Sequence, residues 1–476
     1  MPFRLPCLPV LVLALISLSA VIVSAQEDQI DLAVPPAIQA GVDPETAPLE
    51  VQQEQAPLLT VSRPRTQPKA QPSPEDLFLA KDPQPTFSPD TADLTADAAR
   101  AYLAIVEAGG WPQVPADAKL TPGTTAPAVQ LLRHRLAISG DLDAAATEST
   151  LYDADVEAAV KHFQERHGFE QTGAIGPQTL RALNVSAIIR YNQLVASAER
   201  ARAMKFPFGR RYVAVNIPSA TAEAVENGAV VQRYLAVVGQ IDKPSPVLAT
   251  KITEININPT WTVPASIVKN EIIPHMRKDP TYLARNRIHI LDQAGAEIDP
   301  ATIDWNGESA VALTLRQDSG ADNSLGTLRI DMPNKDAVYM HDTPSKRAFG
   351  STFRFLSHGC VRISRVNTLA AWLLEDNIGS SDRPVWTPPM IEAAITIGKQ
   401  VNIKLEKPVP VAWVYLTGYA TSDHVIHFRN DIYNRDIAED ASVSVPDNQH
   451  LSVSTMNTRN EMRLSGSRVS VPTMVE

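Results

Sequence analysis

The segment that most constrains the fold is Ser357-His358-Gly359-Cys360-Val361-Arg362, preceded along the chain by Val338-Tyr339-Met340-His341-Asp342-Thr343-Pro344. Residues 338–341 have the residue types of a β-strand, which places His341 at a strand end on the same face as Tyr339. Gly359 predicts a sharp bend directly before Cys360, because glycine reaches backbone angles that other residues avoid. The sequence therefore predicts that a histidine and a cysteine meet where a strand is followed by a loop and a bend.

This pairing is typical of a cysteine nucleophile, whose thiol loses its proton to a neighbouring imidazole. Two histidines lie near Cys360 in sequence. The bend at Gly359 disturbs the alignment of His358 with Cys360, whereas the loop after His341 is long enough to fold the cysteine back, so His341 is the preferred base. Backbone N–H groups around Gly359 and Cys360 are predicted to face a developing oxyanion. Arg362 is predicted to hold the turn or to bind a substrate carboxylate.

Two alternatives stay open for these residues. A lone buried cysteine is commonly inert, and a histidine at a strand end is commonly a hydrogen-bonded surface residue. His341, His358 and Cys360 could also supply three zinc ligands, although no clear fourth ligand and no closely spaced histidine or cysteine pair accompanies them.

The N-terminal residues have the pattern of a secretory signal peptide. Arg4 is followed by an apolar run over residues 8–23, and Val23-Ser24-Ala25 has the small residues that precede a cleavage site. The alternative is an uncleaved membrane anchor, because the run nearly suffices to span a bilayer. Cleavage after residue 25 would remove Cys7 and leave Cys360 as a lone thiol in an oxidising compartment. The formal net charge of −10 argues against a nucleic-acid partner.

Composition and periodicity divide the rest of the chain. Residues 26–95 are rich in Pro, Gln and acidic residues and are predicted to be a disordered linker, and residues 438–476 a disordered tail. Residues 127–185 have the apolar spacing of three helices, the second beginning near Asp153 or Asp155 and ending at Gly168, and the third carrying Pro177 in its first turn. Alternating apolar residues predict strands from residue 211 onward. A helix after Cys360 is predicted with Ser364 as its N-cap, and its apolar face consists of Val366, Leu369 and Leu373.

These motifs resemble the L,D-transpeptidase family, whose catalytic domain carries a histidine and then Ser-His-Gly-Cys followed by an apolar residue and Arg or Asn. The resemblance extends over residues 211–437 and includes Met332-Pro333-Asn334 and Phe428-Arg429-Asn430-Asp431-Ile432-Tyr433. Two further segments are typical of the long-form members, Gly109-Gly110-Trp111-Pro112 and Asn258-Pro259-Thr260-Trp261-Thr262-Val263-Pro264. The helical segment 127–185 resembles the common peptidoglycan-binding domain, although much of that likeness is core spacing, and a scaffold that binds no glycan remains an alternative.

The resemblance implies an α+β multidomain protein. Its parts would be a mostly β-sandwich catalytic domain over 211–437 with an insertion over 264–325, helical scaffold segments over 96–126 and 186–210, and the peptidoglycan-binding-like module over 127–185. The resemblance implies no metal or organic cofactor.

The resemblance also implies a reaction. The Cys360 thiolate would attack the third residue of a tetrapeptide stem and release D-alanine, with His341 as proton acceptor and donor. The thioester would then pass to a diaminopimelate amine of a neighbouring stem and give a 3→3 cross-link in the periplasm. A backbone carbonyl at Asp342 would orient the base, and the thiol would be a carbapenem target. The residues that would line the site are Tyr339, Ser357, His358, Gly359 and Arg362.

Two other functions remain open from the sequence. An L,D-carboxypeptidase would use the same Cys360–His341 pair and hydrolyse the acyl-enzyme with water. A non-catalytic wall-binding protein would use the helical module and keep Cys360 as a structural residue.

Overall fold

The computed structural model of the chain describes residue 73, residues 79–377 and residues 385–436. The predicted signal peptide over 1–25, most of the predicted linker over 26–95 and the predicted tail over 438–476 lie outside the described residues. No helix within the described ranges is long and apolar enough to cross a membrane.

The N-terminal half of the described chain is helical. Its helices are α1 (Thr91–Glu107), α2 (Pro127–Ile138), α3 (Ala154–Arg166), α4 (Pro177–Leu183) and α5 (Ala187–Ala203). Helices α2, α3 and α4 enclose a core of their own, which includes Val129, Leu132, Val160 and Phe163, all fully buried. This core confirms the three-helix module that the apolar spacing predicts for 127–185.

The helix boundaries in this module follow from local capping. The side chain of Asp153 accepts a hydrogen bond from the backbone N–H of Val156 at 3.1 Å, so Asp153 and not Asp155 is the N-cap of α3. Helix α3 ends at Arg166, and Gly168 follows in the left-handed region at φ +71°. Pro177 occupies the first turn of α4, where its missing N–H removes no helical hydrogen bond.

From residue 211 the chain is mostly strand. The main strands are β1 (Arg211–Asn216), β2 (Thr221–Glu226), β3 (Ala229–Gly239), β4 (Leu248–Ile257), β9 (Leu328–Asp331), β10 (Met340–His341), β11 (Phe355–Ser357), β12 (Val361–Ile363) and β13 (Val401–Val414). Their order in the sheet is β11-β3-β12-β10-β9-β4-β13-β1-β2, and β2 also pairs with β3. A short hairpin of β14 (Gly418–Ala420) and β15 (Ile426–Phe428) ends the described fold.

The additional pairing corrects the predicted β-sandwich. Because β2 is hydrogen-bonded to both β1 and β3, eight strands close into one barrel-like sheet, and β11 continues along β3 where β2 ends. The barrel interior is filled by apolar side chains from its strands, among them Val213, Ile255, Met340 and Val361. Closure leaves few free strand edges, since nearly every strand finds a partner on each side.

The insertion predicted over 264–325 forms a subdomain with its own sheet and core. Its elements are β5 (Trp261–Thr262), α6 (Ala265–Ile267), a π-helical turn (Val268–Ile272), α7 (Ile273–Lys278), α8 (Tyr282–Arg285), β6 (Ile288–Leu291), β7 (Glu297–Ile298) and β8 (Thr314–Gln317). The four strands have the order β5-β8-β6-β7. Val268, Leu283, Ile290 and Leu315 are buried between them and the helices. The subdomain therefore has a core separate from that of the barrel.

The folded part begins before the boundary predicted at residue 95. Phe87 is 1% exposed and packs against the rings of Phe206 and Phe208. Thr86 hydrogen-bonds through both its N–H and its hydroxyl to the buried carboxylate of Glu223. Residues 79–95 are therefore packed on the barrel through the buried side chains of Thr86 and Phe87. The polar composition of the surrounding segment had predicted disorder there.

The helix that follows Cys360 is α9 (Val366–Leu374), and a last helix, α10 (Pro388–Ile397), packs beside it. The apolar face predicted from Val366, Leu369 and Leu373 is buried in the barrel core. The predicted N-cap is wrong. Arg365 precedes the helix in the left-handed region at φ +46°, and the hydroxyl of Ser364 accepts from the N–H of Leu235 instead.

Candidate active site

Two adjacent parallel strands bring the predicted histidine and cysteine together. In the register of β10 and β12, Met340 is opposite Val361 and His341 is opposite Arg362. Met340 and Val361 are fully buried in the barrel core. Because side chains alternate between the two faces of a strand, Tyr339, His341, Cys360 and Arg362 share the outer face.

The imidazole of His341 is buried and has a defined orientation. Its side chain donates to the backbone carbonyl groups of Asp342 and Leu325, while Nδ1 has no hydrogen-bond partner. The proton therefore belongs on Nε2, and the lone pair of Nδ1 stays available. Burial, followed by the positive charge of Arg362, lowers the pKa of His341 to about 3, so the ring is neutral at pH 7.

The thiol of Cys360 is partly buried and forms no disulfide among the described residues. Burial raises the pKa of this thiol, and hydrogen bonding from Tyr339 together with the charges of Arg329 and Arg362 opposes that rise. The ring of Tyr339 lies against that of His341, with centroids 5.6 Å apart. At neutral pH the site thus pairs a protonated thiol with a neutral imidazole, the protonation states from which general-base activation begins.

The bend before Cys360 is fixed by two serines. Gly359 has φ +110°, and its N–H donates to the hydroxyl of Ser357 at 3.2 Å, which itself donates to the carbonyl of Cys360. Ser245 donates to the carbonyl of Gly359 at 2.7 Å. The N–H of Gly359 is therefore engaged within the turn, whereas the N–H of Cys360 is the other donor that the sequence predicts to face an oxyanion.

His358 occupies a different environment from His341. Its Nε2 lies 2.6 Å from a carboxylate oxygen of Glu271, which belongs to the π-helical turn of the insertion. Lys243 lies 3.9 Å from the same carboxylate oxygen. The loop before Cys360 therefore contacts the insertion through His358, while the neutral ring beside the cysteine is that of His341.

Asp342 and Arg362 also have defined surroundings. The carboxylate of Asp342 accepts from the N–H and the hydroxyl of Thr327 and pairs with Lys346, so it holds the loop after β10. Arg362 is partly buried, burial lowers its pKa, and its Nε has no hydrogen-bond partner. Its positive charge lowers the pKa of both Cys360 and His341.

A cleft beside Tyr339 contains residues that the sequence analysis does not assign to the site. Arg329 stacks on the ring of Tyr339 at 4.5 Å from its centroid and pairs with Asp331 at 2.6 Å. Trp261, from the first strand of the insertion, hydrogen-bonds with Tyr339, and Glu254 and Asn256 line the same cleft. The alternation of apolar and polar residues along Leu328-Arg329-Ile330 could have identified Arg329 as a site residue, because it places the Arg329 side chain on the strand face away from the core.

This arrangement does not group the side chains as a zinc site would require. Within the ranges that the structure describes, no group of three or more His, Cys, Asp or Glu side chains could hold a metal ion. His358 is paired with Glu271. The donor set of the site therefore suits proton transfer between a thiol and an imidazole.

A cysteine beside a buried, neutral histidine is an arrangement that can activate a thiol for nucleophilic catalysis. Residues 210–403 match the family model described as the L,D-transpeptidase catalytic domain, and residues 125–183 match that of the "Putative peptidoglycan binding domain". The chain therefore contains an L,D-transpeptidase catalytic domain joined to a peptidoglycan-binding-type domain, which confirms the resemblance seen in the sequence.

A curated protein sequence is similar to a large part of this chain. The chain is 29% identical over 273 residues to a "Putative L,D-transpeptidase" of Haemophilus influenzae, a match that covers 57% of this chain and 53% of the relative. The chain thus spans about half the length of that curated relative.

Solved structures are matched at lower identity. An L,D-transpeptidase from Mycobacterium smegmatis is 14% identical, with 43% of this chain and 58% of that chain covered and a TM-score of 0.21. An L,D-transpeptidase from Stackebrandtia nassauensis is also 14% identical, with 63% and 96% covered and a TM-score of 0.23.

Proposed function

We propose that this protein catalyses L,D-transpeptidation of peptidoglycan through a thioester on Cys360. The observation that carries the proposal is the unpartnered Nδ1 of a buried, neutral His341 on the same barrel face as the thiol. An L,D-transpeptidase catalytic domain acts on peptidoglycan, and the attached peptidoglycan-binding-type domain fits the same substrate.

The proposed acylation step transfers one proton and exchanges one bond. Nδ1 of His341 takes the thiol proton while Sγ of Cys360 attacks the carbonyl carbon at the L-centre of the third residue in a tetrapeptide stem. The N–H of Cys360 and the hydroxyl of Tyr339 would donate hydrogen bonds to the oxyanion. The C–N bond to the terminal D-alanine then breaks, and the departing amine takes the proton from His341.

The proposed deacylation step returns the site to its resting state. The side-chain amine of a diaminopimelate on a neighbouring stem attacks the thioester carbonyl and gives a proton to His341. A new amide forms, the C–S bond breaks, and the leaving thiolate of Cys360 recovers its proton. The product is a 3→3 cross-link, and no cofactor enters either step.

We place this reaction outside the cytoplasm. The support for export is the charged and apolar pattern of residues 4–25 and its small-residue end. Cleavage and membrane anchorage would both be compatible with a periplasmic site of action. N-terminal sequencing of the protein recovered from its native cells would distinguish them.

Intact-mass measurement with a carbapenem tests the thioester. We expect one adduct on the wild-type protein and none on Cys360→Ala, because acylation requires an activated thiol. A folded wild-type protein that forms no adduct would contradict a reactive Cys360 and would favour a wall-binding protein with a structural cysteine.

Product analysis tests the acceptor. The protein is incubated with a disaccharide-tetrapeptide, and the expected product is the 3→3 cross-linked dimer together with D-alanine. Release of D-alanine with tripeptide alone, even at high acceptor concentration, would show an L,D-carboxypeptidase and would contradict transpeptidation.

A further inference from the structure

The cleft beside Tyr339 continues along the outer face of the barrel, across β9 and β4. These two strands supply a polar floor, and the first strand of the insertion supplies one wall. The residues on these three strands that line the cleft are Glu254, Asn256, Arg329, Asp331, Trp261 and Thr262. The cleft has a volume of about 320 Å³ and opens to solvent. It therefore has room for a long side chain that ends in polar groups.

The sheet fixes the separation between this cleft and the nucleophile. Asn256 on β4 is opposite Arg329 on β9, which is opposite His341 on β10. Strand β12, which begins directly after Cys360, is the next strand in this order. Neighbouring strands lie about 4.8 Å apart, so β4 is about 14 Å from β12. Glu254 lies two residues before Asn256 and on the same face of β4, so both side chains face the cleft at this separation.

Glu254 and Asn256 offer acceptor oxygens to a ligand. The carboxylate of Glu254 accepts from the side-chain amide of Asn256 at 2.6 Å, and no ion pair among the described residues involves Glu254, not even with its cross-strand neighbour Lys404. Asn256 is only 8% exposed. Its amide nitrogen donates to Glu254 and Asn402, whereas its Oδ1 has no hydrogen-bond partner within residues 79–377 and 385–436. Two such acceptors suit a cationic group with several N–H donors.

A single cationic side chain lies beside these acceptors. Arg329 is the one Lys or Arg among the described residues that line the cleft, and its Nη2 pairs with Asp331 at 2.6 Å. The lining side chains thus carry one excess negative charge, because Glu254 has no cationic partner. Nη1 of Arg329 makes no hydrogen bond in the part of the chain that the structure describes. The cleft therefore places acceptors for a cation next to a donor for an anion, which complements a zwitterion.

We propose that this cleft binds the zwitterionic end of the diaminopimelate side chain in the donor stem, with the ammonium on Glu254 and Asn256 and the carboxylate on Arg329. The inference rests on the proposed function, because diaminopimelate is the third residue of the stem that Cys360 attacks. Its extended side chain places the amine about 6 Å from the α-carbon, and a glutamate side chain with its hydrogen bond spans about 7 Å more. Together these lengths are comparable to the separation of β4 and β12. Glu254 would thus be a specificity residue for the donor.

Single-turnover release of D-alanine tests this proposal, because acylation involves the donor stem alone. The full chain, in excess over a soluble disaccharide-tetrapeptide, is compared with Glu254→Gln, which keeps an acceptor oxygen for Asn256 and removes the charge. We expect the half-saturating protein concentration to rise about fivefold and the maximum rate to stay within about twofold, since a lost ion pair weakens binding without changing the reacting atoms.

A stem with 2-aminopimelate as its third residue lacks only the side-chain amine. The wild-type protein should require about five times more protein to half-saturate this stem, and Glu254→Gln should give the same value as wild type with it, because the charge then has no partner.

Glu392→Gln is the matched control, since Glu392 also accepts from one asparagine amide, that of Asn367 at 2.7 Å, and does not line the cleft. It should behave as wild type with both stems. Equal half-saturation of wild type and Glu254→Gln, or the same fivefold loss with the 2-aminopimelate stem, would overturn the proposal. A wild-type protein that releases no D-alanine from either stem rejects the proposed function and this subsite with it. Normal release without coupling between Glu254 and the amine rejects the subsite alone.

Discussion

A carboxylate oxygen of Glu271 lies 2.6 Å from Nε2 of His358, two positions before the nucleophile. Glu271 belongs to the π-helical turn Val268–Ile272 of the insertion, whereas His358 belongs to the barrel. The side chains are 42% and 33% exposed, so the pair contributes roughly 0.2–1 kcal/mol. It nevertheless links the insertion to the turn that presents Cys360, together with the contact between Trp261 and Tyr339.

The substitution Glu271→Gln should loosen the insertion. We expect amides in the π-helical turn and in α7 to exchange with deuterium up to about fivefold faster, because a lost contact lowers the free energy of local opening. Hydrogen exchange followed by mass spectrometry measures this. Glu297→Gln is the control, since Glu297 makes a similar contact with His289 at 2.7 Å within the insertion and none with the barrel. Unchanged exchange in Glu271→Gln would show that the pair does not hold the insertion.

Substitution of His341 should slow acylation of Cys360 far more than substitution of His358. We expect His341→Gln to slow acylation of Cys360 by a carbapenem about 100- to 10,000-fold, because it removes the group that takes the thiol proton. His358→Gln should stay within about tenfold of wild type, since that ring is paired with Glu271. Stopped-flow acylation rates on folded variants measure both. An equal loss in the two variants would mean that His341 is not the specific base.

The acylation rate should be nearly independent of pH between 7 and 5. A pKa of about 3 keeps His341 neutral over this range, and the raised pKa of Cys360 keeps the thiol protonated, so neither reactant changes form. The neutral fraction of a histidine with an ordinary pKa near 6.5 would fall about 25-fold between pH 7 and pH 5. A rate that falls with an apparent pKa near 6.5 would contradict the buried, neutral imidazole.

The variant His341→Gln supplies the contrast for this pH profile. Alkylation of its Cys360 by iodoacetamide depends on spontaneous ionisation, so the rate should rise about tenfold per pH unit below the pKa of the thiol. A flat profile in this variant would point to another base for Cys360.

The hydroxyl of Ser357 should matter for both stability and rate. Ser357→Ala removes the acceptor of the Gly359 N–H and the donor to the Cys360 carbonyl in a residue that is 1% exposed. Two buried polar groups lose their partner, which costs about 1–3 kcal/mol of unfolding free energy, and a looser turn should slow acylation about tenfold. Urea unfolding and acylation rates measure these effects. Ser351→Ala, which removes an exposed turn contact with Phe353, should change neither by much, and equal effects in the two variants would reject the role of Ser357.

The ion pair between Arg166 and Asp141 should anchor the helical module. The side chain of Asp141 is fully buried, which alone would raise the pKa of its carboxyl, but the charge and two hydrogen bonds of Arg166 hold that pKa well below the usual range. Arg166→Ala should cost about 3–5 kcal/mol of unfolding free energy, because the buried carboxylate loses its guanidinium partner and keeps only its contacts with His162 and Ser139. Urea unfolding compares this variant with Arg100→Ala, whose exposed pair with Asp97 should contribute under about 1 kcal/mol. A small effect at Arg166 would show that the module does not depend on this pair.

Local patterns in the sequence predicted the elements and the central residues of the candidate site. Apolar spacing identified the module helices, and strand alternation placed His341 and Tyr339 on one face, because these patterns report which side of an element is buried. The N-cap of α9 was missed, since the hydroxyl of Ser364 is drawn to the N–H of Leu235 in a neighbouring strand. A side chain with two possible partners cannot be assigned from its neighbours in sequence alone.

The sequence by itself determined that this chain carries an L,D-transpeptidase catalytic domain and a peptidoglycan-binding-type domain, because both are recognised by residue type and spacing. Only the tertiary structure decided that the sheet closes into a barrel and that Nδ1 of His341 is left unpartnered. The physical reason is the sequence separation of the residues in contact. Periodicity records burial along one element, whereas closure of the barrel and the position of the histidine proton depend on contacts between residues far apart in the chain.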